Sequence, residues 1–216
     1  MRKGFLFDMD GTLINSMGVW DGFAEEYLQS YGLEPSEGLN DILKVQALNT
    51  SAQYVAEHYL PQKTPDEILR EWEEVMCQRY DRQTSLKPGV LEFLEKNRDR
   101  KMAILTSNGR RILDHIVEKY GLKPYMEWIL TAADLGLEKT DPGIFEAAAQ
   151  KLHLHAEDCV VFEDSLHAIE SAKNAGCYVV GFSEPLFAQD AKKVEETADR
   201  YVSDFSQLLQ LNWNEL

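Results

Sequence analysis

The chain has 216 residues, 44% hydrophobic and 27% charged, as expected for one large globular domain or for a core domain with a smaller insert. Its formal net charge of −15 argues against binding to nucleic acid or to an anionic membrane, because both require a basic surface. The apolar runs are too short for a membrane span or a signal peptide, and the three cysteines are widely spaced, so we expect a cytoplasmic protein with free thiols.

The first apolar run, GFLF, leads directly into Asp8 and Asp10 in the stretch GFLFDMDGTL. Two carboxylates behind a strand usually mark a turn. A functional site would require groups of complementary chemistry at the ends of neighbouring strands, and the rest of the chain decides whether they exist.

Residues 15 to 84 show no strand pattern. They contain successive amphipathic helical patterns, GVWDGFAEEYLQSYG, LNDILKVQALNTSAQYVAEHY and PDEILREWEEVMCQRYDRQ. Pro88 and Gly89 in LKPGV mark the return to a different pattern. We therefore predict a Rossmann-like core formed by residues 1–14 and 85–216, with residues 15–84 inserted as a helical cap domain. Ligands bind beyond the carboxyl ends of parallel strands, so a cap inserted after the first strand is expected to act as a lid.

Strands and helices alternate from about residue 88 onward. The further strand candidates are KMAIL before Thr106, EWIL before Thr131, CVVF before Glu163, and YVVGF. The helical patterns between them are VLEFLEKNR, RILDHIVEKYG, GIFEAAAQKL and SLHAIESAKNAG. The last one ends at Gly176, where a left-handed helix cap is expected. This alternation predicts an α/β fold of three layers, with helices on a parallel sheet joined by right-handed crossovers.

The ends of three predicted strands supply polar partners for one another. They would meet at one edge of the sheet, together with Lys139, which precedes the helix that Pro142 helps to start. The residues concerned are Asp8, Asp10, Thr106, Ser107, Glu163 and Asp164. Four carboxylates in one place require a compensating cation, and carboxylate oxygens favour a hard ion, for which we predict Mg²⁺.

The same groups suit the transfer of a phosphoryl group. Asp8 is a plausible nucleophile toward phosphorus because carboxylates form acyl phosphates. Asp10 can protonate the leaving oxygen and later take a proton from an attacking water. Thr106 and Lys139, with the backbone N–H groups around Gly11 and Ser107, would hold the phosphoryl oxygens.

Four ordered motifs, DMDGTL, ILTSN, EKTDPGIF and VFEDSLHAIESAKNAG, resemble those of the haloacid dehalogenase-like hydrolase superfamily. The position of the insert is similar to the helical-cap branch, which includes small-molecule phosphatases and β-phosphoglucomutase. The resemblance implies that Asp8 is the phosphorylated nucleophile, Asp10 the acid and base, and Thr106 and Lys139 phosphate ligands. Because the dehalogenase branch lacks an aspartate at the position of Asp10, its presence favours phosphoryl transfer.

The resemblance also implies a metal site and a set of substrate contacts. The implied Mg²⁺ ligands are Asp8, the backbone carbonyl of Asp10, and Asp164, with Glu163 in the ligand set or next to it. The residues predicted to contact substrate are Thr12, Ser107 and Asn108.

Three functions remain open at this point. The first is a Mg²⁺-dependent phosphomonoester hydrolase of a small phosphorylated metabolite such as a sugar phosphate. The second is a β-phosphoglucomutase-like mutase, a branch associated with a histidine early in the cap and a cap arginine. Trp20 stands at the place of that histidine and LKVQALNTS (43–51) offers no arginine, so water is the expected acceptor. The third is a non-catalytic binding or regulatory protein of the same fold, which the presence of Asp8 and Asp10 disfavours.

Overall fold

The computed structural model of the chain describes residues 2–44, 48–185 and 188–215. Within them the strands are β1 (Gly4–Phe7), β2 (Ile14–Asn15), β3 (Ser85–Leu86), β4 (Lys101–Thr106), β5 (Trp128–Thr131), β6 (Cys159–Glu163), β7 (Tyr178–Phe182) and β8 (Arg200–Val202). All except β2 and β3 form one parallel sheet, in the order β5–β4–β1–β6–β7–β8. β2 and β3 pair as an antiparallel ribbon. The predicted α/β fold with a parallel sheet is confirmed.

Helices follow most of the predicted patterns. They are α1 (Phe23–Ser30), α2 (Leu39–Lys44), α3 (Leu48–His58), α4 (Pro65–Gln83), α5 (Val90–Lys96), α6 (Arg110–Lys119), α7 (Ala132–Leu135), α8 (Gly143–Lys151), α9 (Leu166–Asn174) and α10 (Ala191–Thr197). Gly176, just after α9, has a φ of +89°, so the expected left-handed cap is present. No helix in the described ranges is long and apolar enough to cross a membrane.

The central strand β1 is buried on both faces, which explains why it reads as an uninterrupted apolar run. On one face Phe5 stacks on Phe93 of α5 with ring centroids 5.7 Å apart, and Phe7 stacks on Phe162 at 4.6 Å. On the opposite face Leu6 lies in an aliphatic cluster with side chains of α8 and α9. Helices therefore cover the sheet on two sides, as the three-layer prediction requires.

Two compact units can be distinguished along the chain. The first comprises Met1–Asn15, Ser85–Ser107 and Val117–Leu216, and it contains the parallel sheet. The second comprises Ser16–Thr84 and Asn108–Ile116. The helical unit thus includes the first part of α6, a segment that sequence patterns do not separate from the core.

Within the second unit, α4 begins at a capping box. Thr64 and Glu67 form a capping box: Thr64 Oγ1 accepts a hydrogen bond from the Glu67 N–H at 3.3 Å, and Glu67 Oε2 accepts from the Thr64 N–H at 2.8 Å. The helix then runs to Gln83, as the pattern predicts. The predicted helix over 39–59 contains two helices, α2 and α3, and residues 45–47 of that segment lie outside the described residues.

Candidate active site

The register of the sheet places the first carboxylate of the chain beside a second one. Phe7 in β1 pairs with Phe162 in β6, and the backbone N–H of Asp8 donates to the Phe162 carbonyl at 2.9 Å. Asp8 and Glu163, the residues that follow this pair, therefore lie next to each other at the carboxyl edge of the sheet. Both are buried, with Asp8 8% and Glu163 2% exposed.

Lys139 bridges these two carboxylates. Its Nζ donates to Asp8 Oδ1 and, at 2.8 Å, to Glu163 Oε2, and its side chain is only 10% exposed. Burial alone would lower the pKa of Lys139, but the charges of Asp8 and Glu163 outweigh it and hold the pKa above its ordinary value. Lys139 is therefore a permanent ammonium ion inside the site.

The surroundings of Asp8 raise its pKa. Burial and the neighbouring Glu163 carboxylate raise the pKa of Asp8 from 3.8 to about 7, against the opposing effect of Lys139. The negative charge of Asp10 also raises this pKa, although less. One lysine thus compensates the acidic cluster only in part.

Both oxygens of Glu163 already have donors. Oε2 binds Lys139, and Oε1 accepts hydrogen bonds from the backbone N–H groups of Asp164 at 3.0 Å and Ser165 at 3.1 Å. Glu163 therefore holds Lys139 in place and ties down the start of the loop before α9. A direct bond from Glu163 to a metal ion would compete with these donors, so its place in the predicted ligand set stays a prediction.

Two other carboxylate oxygens fit a cation. Oδ2 of Asp8 and Oδ2 of Asp164 are buried and have no hydrogen-bond partner among the described residues. Asp8, Glu163 and Asp164 offer oxygens that all lie within 4.8 Å of one another. Burial, followed by the charges of Glu163 and Asp8, raises the pKa of Asp164 above its ordinary value. Buried and unpaired carboxylate oxygens are costly, and a divalent ion that prefers oxygen ligands would remove this cost.

Gly11 makes this arrangement possible. Its φ is +78°, a conformation that residues with a side chain rarely adopt. A Cβ at this position would collide with Asp164 Oδ2 and lie only 2.8 Å from Asp164 Cγ. The glycine therefore serves the turn after β1 and leaves room for the Asp164 carboxylate.

The remaining predicted site residues lie on several separate segments of the chain. Asp10 lies in the turn after β1, where it forms a bridge with Ile14. Thr12 is fully buried, and its hydroxyl has no hydrogen-bond partner within the described part of the chain. Thr106, also buried, ends β4, and Ser107 after it is exposed. Asn108 belongs to the second unit.

One contact of Asn108 has no signal in the sequence. Its Nδ2 donates to Tyr80 Oη at 2.8 Å. Tyr80 continues the buried stripe of α4 formed with Ile68, Trp72 and Met76, so the sequence pattern predicts a core residue and nothing more. Only the folded structure associates its hydroxyl with Asn108.

The chain belongs to the haloacid dehalogenase-like hydrolase family, because the sequence profile of that family matches residues 5–182. That match includes the segments with Asp8, Lys139 and Asp164. The family that the four motifs predict is confirmed.

Relatives of known name agree with this assignment. Hexitol phosphatase A of Escherichia coli (strain K12) is 30% identical over 188 residues, which cover 85% of this chain and 84% of that protein. Fructose-1-phosphate phosphatase YqaB of the same organism is 30% identical over 180 residues, covering 80% and 92%. CbbY from Rhodobacter sphaeroides, crystallised in complex with phosphate, has a TM-score of 0.77 to this chain and covers 96% of both chains. At 20% identity that likeness shows the fold alone.

Proposed function

We propose that this protein is a Mg²⁺-dependent hydrolase of a small phosphomonoester and that it works through a phosphorylated Asp8. The observation that carries the proposal is the buried cluster at the sheet edge. Lys139 joins Asp8 to Glu163, and one oxygen each of Asp8 and Asp164 is buried without a hydrogen-bond donor among the residues that the structure describes. A cation bound to these oxygens completes a site of the composition that phosphoryl transfer requires.

Asp8, Asp164 and the backbone carbonyl of Asp10 are the proposed ligands of the metal ion. When bound, Mg²⁺ would offset the charge of the carboxylates and attract the phosphoryl oxygens of a substrate. Glu163 would act beside this set by holding Lys139, since its own two oxygens are occupied.

The proposed reaction has two steps. A carboxylate oxygen of Asp8 attacks phosphorus and the bond to the ester oxygen breaks, while Asp10 gives its proton to the leaving alcohol. Asp10, now ionised, takes a proton from a water whose oxygen attacks the phosphoryl group. The bond between Asp8 and phosphorus then breaks, which releases inorganic phosphate and restores both carboxyl groups.

Lys139 and Thr106 would stabilise the charge that spreads over the phosphoryl oxygens. Before the reaction, Asp8 and Glu163 hold the pKa of Lys139 above its ordinary value, so its ammonium group is charged when the substrate binds. Thr106 lies at the end of β4, and Thr12, Ser107 and Asn108 are the proposed substrate contacts around it.

Water is the proposed acceptor of the phosphoryl group. A mutase-like transfer to a second hydroxyl calls for additional groups in the cap, and Trp20 stands where the mutase branch has a histidine. The indole N–H of Trp20 donates to Tyr80 Oη at 3.2 Å, and an indole has no acceptor nitrogen for proton transfer.

Phosphorylated sugars and sugar alcohols are the proposed substrates, by similarity to relatives named for hexitol and fructose 1-phosphate. The net charge of −15 disfavours nucleic acid as a substrate. We assign the protein to the cytoplasm because Cys77, Cys159 and Cys177 are free thiols, which suit a reducing compartment.

Phosphate release from a panel of phosphorylated metabolites, with Mg²⁺ and with a chelator, tests the proposal. We expect hydrolysis only with the metal ion, and a loss of at least a thousandfold in Asp8→Asn. Asp158→Asn, which removes the same charge immediately before β6, is the matched control and should retain activity. Undiminished hydrolysis by Asp8→Asn would exclude the mechanism, and isomerisation of a sugar phosphate without phosphate release would favour the mutase.

A further inference from the structure

The hydroxyl of Tyr80 links two distant segments of the second unit by hydrogen bonds. Tyr80 is fully buried, yet its Oη accepts hydrogen bonds from Asn108 Nδ2 at 2.8 Å and from Trp20 Nε1 at 3.2 Å. The two donors are far apart in the chain: Trp20 ends a 3₁₀ turn (Met17–Trp20), and Asn108 precedes α6. A phenylalanine would fill the same core position without these two hydrogen bonds, so the effect of the hydroxyl can be separated from packing.

The segment around Asn108 lies against α4 over several turns. A Cβ on Gly109 would be 2.8 Å from Glu73 Oε1, so the carboxylate of Glu73, a residue of α4, lies close to Gly109. Within α6, His115 Nε2 is 2.9 Å from Oδ1 of Asp81, a residue of α4. These contacts explain why Asn108–Ile116 belongs to the same compact unit as α4.

Asn108 connects this contact, along the chain, to residues of the proposed phosphate site. It follows Thr106 and Ser107 directly in the chain, and these two residues leave β4 at the carboxyl edge of the sheet. An amide held by a buried phenol has little rotational freedom, because Tyr80 has few alternative positions in a packed core. The position of Asn108 therefore also limits where the backbone N–H groups next to it can point.

We propose that Tyr80 is a positioning residue for phosphate binding: its hydroxyl fixes Asn108 and thereby the loop that follows Thr106. This inference rests on the proposed function, in which Ser107 and Asn108 contact the phosphoryl group. Tyr80 itself touches no reacting atom. Its contribution reaches the substrate through Asn108.

Tyr80→Phe tests the proposal, because it removes the hydroxyl and keeps the buried ring. The measurements are the Kd for inorganic phosphate by titration calorimetry with saturating Mg²⁺, and kcat and KM with p-nitrophenyl phosphate. We expect the Kd to rise about tenfold and kcat/KM to fall by a similar factor. Asn108→Ala removes both the contact with Tyr80 and the proposed phosphate contact, so it should raise the Kd more than Tyr80→Phe does. Adding Tyr80→Phe to Asn108→Ala should cause no further loss, because the hydroxyl acts on phosphate only through Asn108.

His115→Ala is the matched control. It breaks another contact between α4 and the segment of Asn108, and it should leave the phosphate Kd unchanged. Loss of phosphate binding in this control would mean that breaking any contact between α4 and the segment of Asn108 weakens phosphate binding. That result would overturn the specific role of Tyr80. A phosphate Kd within twofold of the wild type in Tyr80→Phe would overturn it as well. If Tyr80→Phe fails to fold, Tyr80→Met is measured in its place with the same expected rise in Kd, because it also lacks the hydroxyl and fills the core position with a flexible apolar side chain.

The two proposals fail differently. A wild type that binds phosphate without hydrolysing any ester would refute the hydrolase function, and the Kd comparison would still decide the role of Tyr80. A wild type that does not bind phosphate in the presence of Mg²⁺ overturns both.

Discussion

Replacement of Gly11 by alanine is the sharpest test of the proposed metal site. The added methyl group would lie against Asp164 Oδ2 and 2.8 Å from Asp164 Cγ. Carbon atoms without a bond between them pack at about 3.5 Å, so the carboxyl group must retreat by about 0.7 Å. Metal–ligand distances tolerate only about 0.2 Å, and Asp164 is a proposed ligand.

The expected loss has two parts that can be measured separately. A left-handed backbone costs a residue with a side chain about 1–2 kcal/mol, which should appear as reduced stability toward urea. Displacement of Asp164 should weaken Mg²⁺ binding by about a hundredfold, or about 2.7 kcal/mol. Mutation of the groups that orient metal ligands lowers metal affinity by up to this factor in other proteins. Calorimetric titration with Mg²⁺ measures the second part directly.

Gly176→Ala isolates the first part. Gly176 has a φ of +89°, and within the described part of the chain an added Cβ would meet no atom within 4 Å other than those of its chain neighbours. This variant should lose the same 1–2 kcal/mol of unfolding free energy and bind Mg²⁺ as tightly as the wild type. Equal Mg²⁺ affinities in Gly11→Ala and Gly176→Ala would refute the assignment of Asp164 as a ligand positioned by Gly11.

Two further predictions concern pH and backbone strain. The pKa of Asp8 is raised by burial to about 7 in the folded, metal-free protein. From about pH 4 to pH 7 the folded state therefore holds a proton that the unfolded state has lost, so this group's contribution to stability falls as pH rises. Mg²⁺ must displace that proton and any proton on Asp164, whose pKa is also raised. Its apparent affinity should therefore rise at least about tenfold per pH unit between pH 5.5 and 7, and a flat calorimetric profile over this range would contradict this. His153 has a φ of +55°, a conformation that glycine adopts at less cost, so His153→Gly should stabilise the protein by about 1 kcal/mol in urea unfolding. His155 has a φ of −90°, so His155→Gly should destabilise the protein. The opposite ranking of the two variants would contradict the strain argument.

The longer strands could be predicted from the sequence because the signal for each one lies within a few consecutive residues. GFLF and CVVF are continuous apolar runs, and KMAIL is one after its initial lysine, as is typical of strands buried on both faces; all three form strands of the sheet. β8 (Arg200–Val202) was not predicted, because three residues that include an arginine have too little pattern to stand out from a loop. The ribbon of β2 and β3 has two residues in each strand and leaves even less signal.

The sequence by itself determined which residues were candidates for the chemistry: Asp8 and Asp164 come at the ends of apolar runs, and Lys139 precedes the helix that Pro142 helps to start. Only the tertiary structure decided how they share one another's charge. Lys139 is 131 residues from Asp8 along the chain, and whether it pairs with Glu163 depends on the register of β1 against β6 and on the loop before α8. Hydrogen bonds and steric limits act over a few ångströms, and no local pattern records which distant atoms fall within that range.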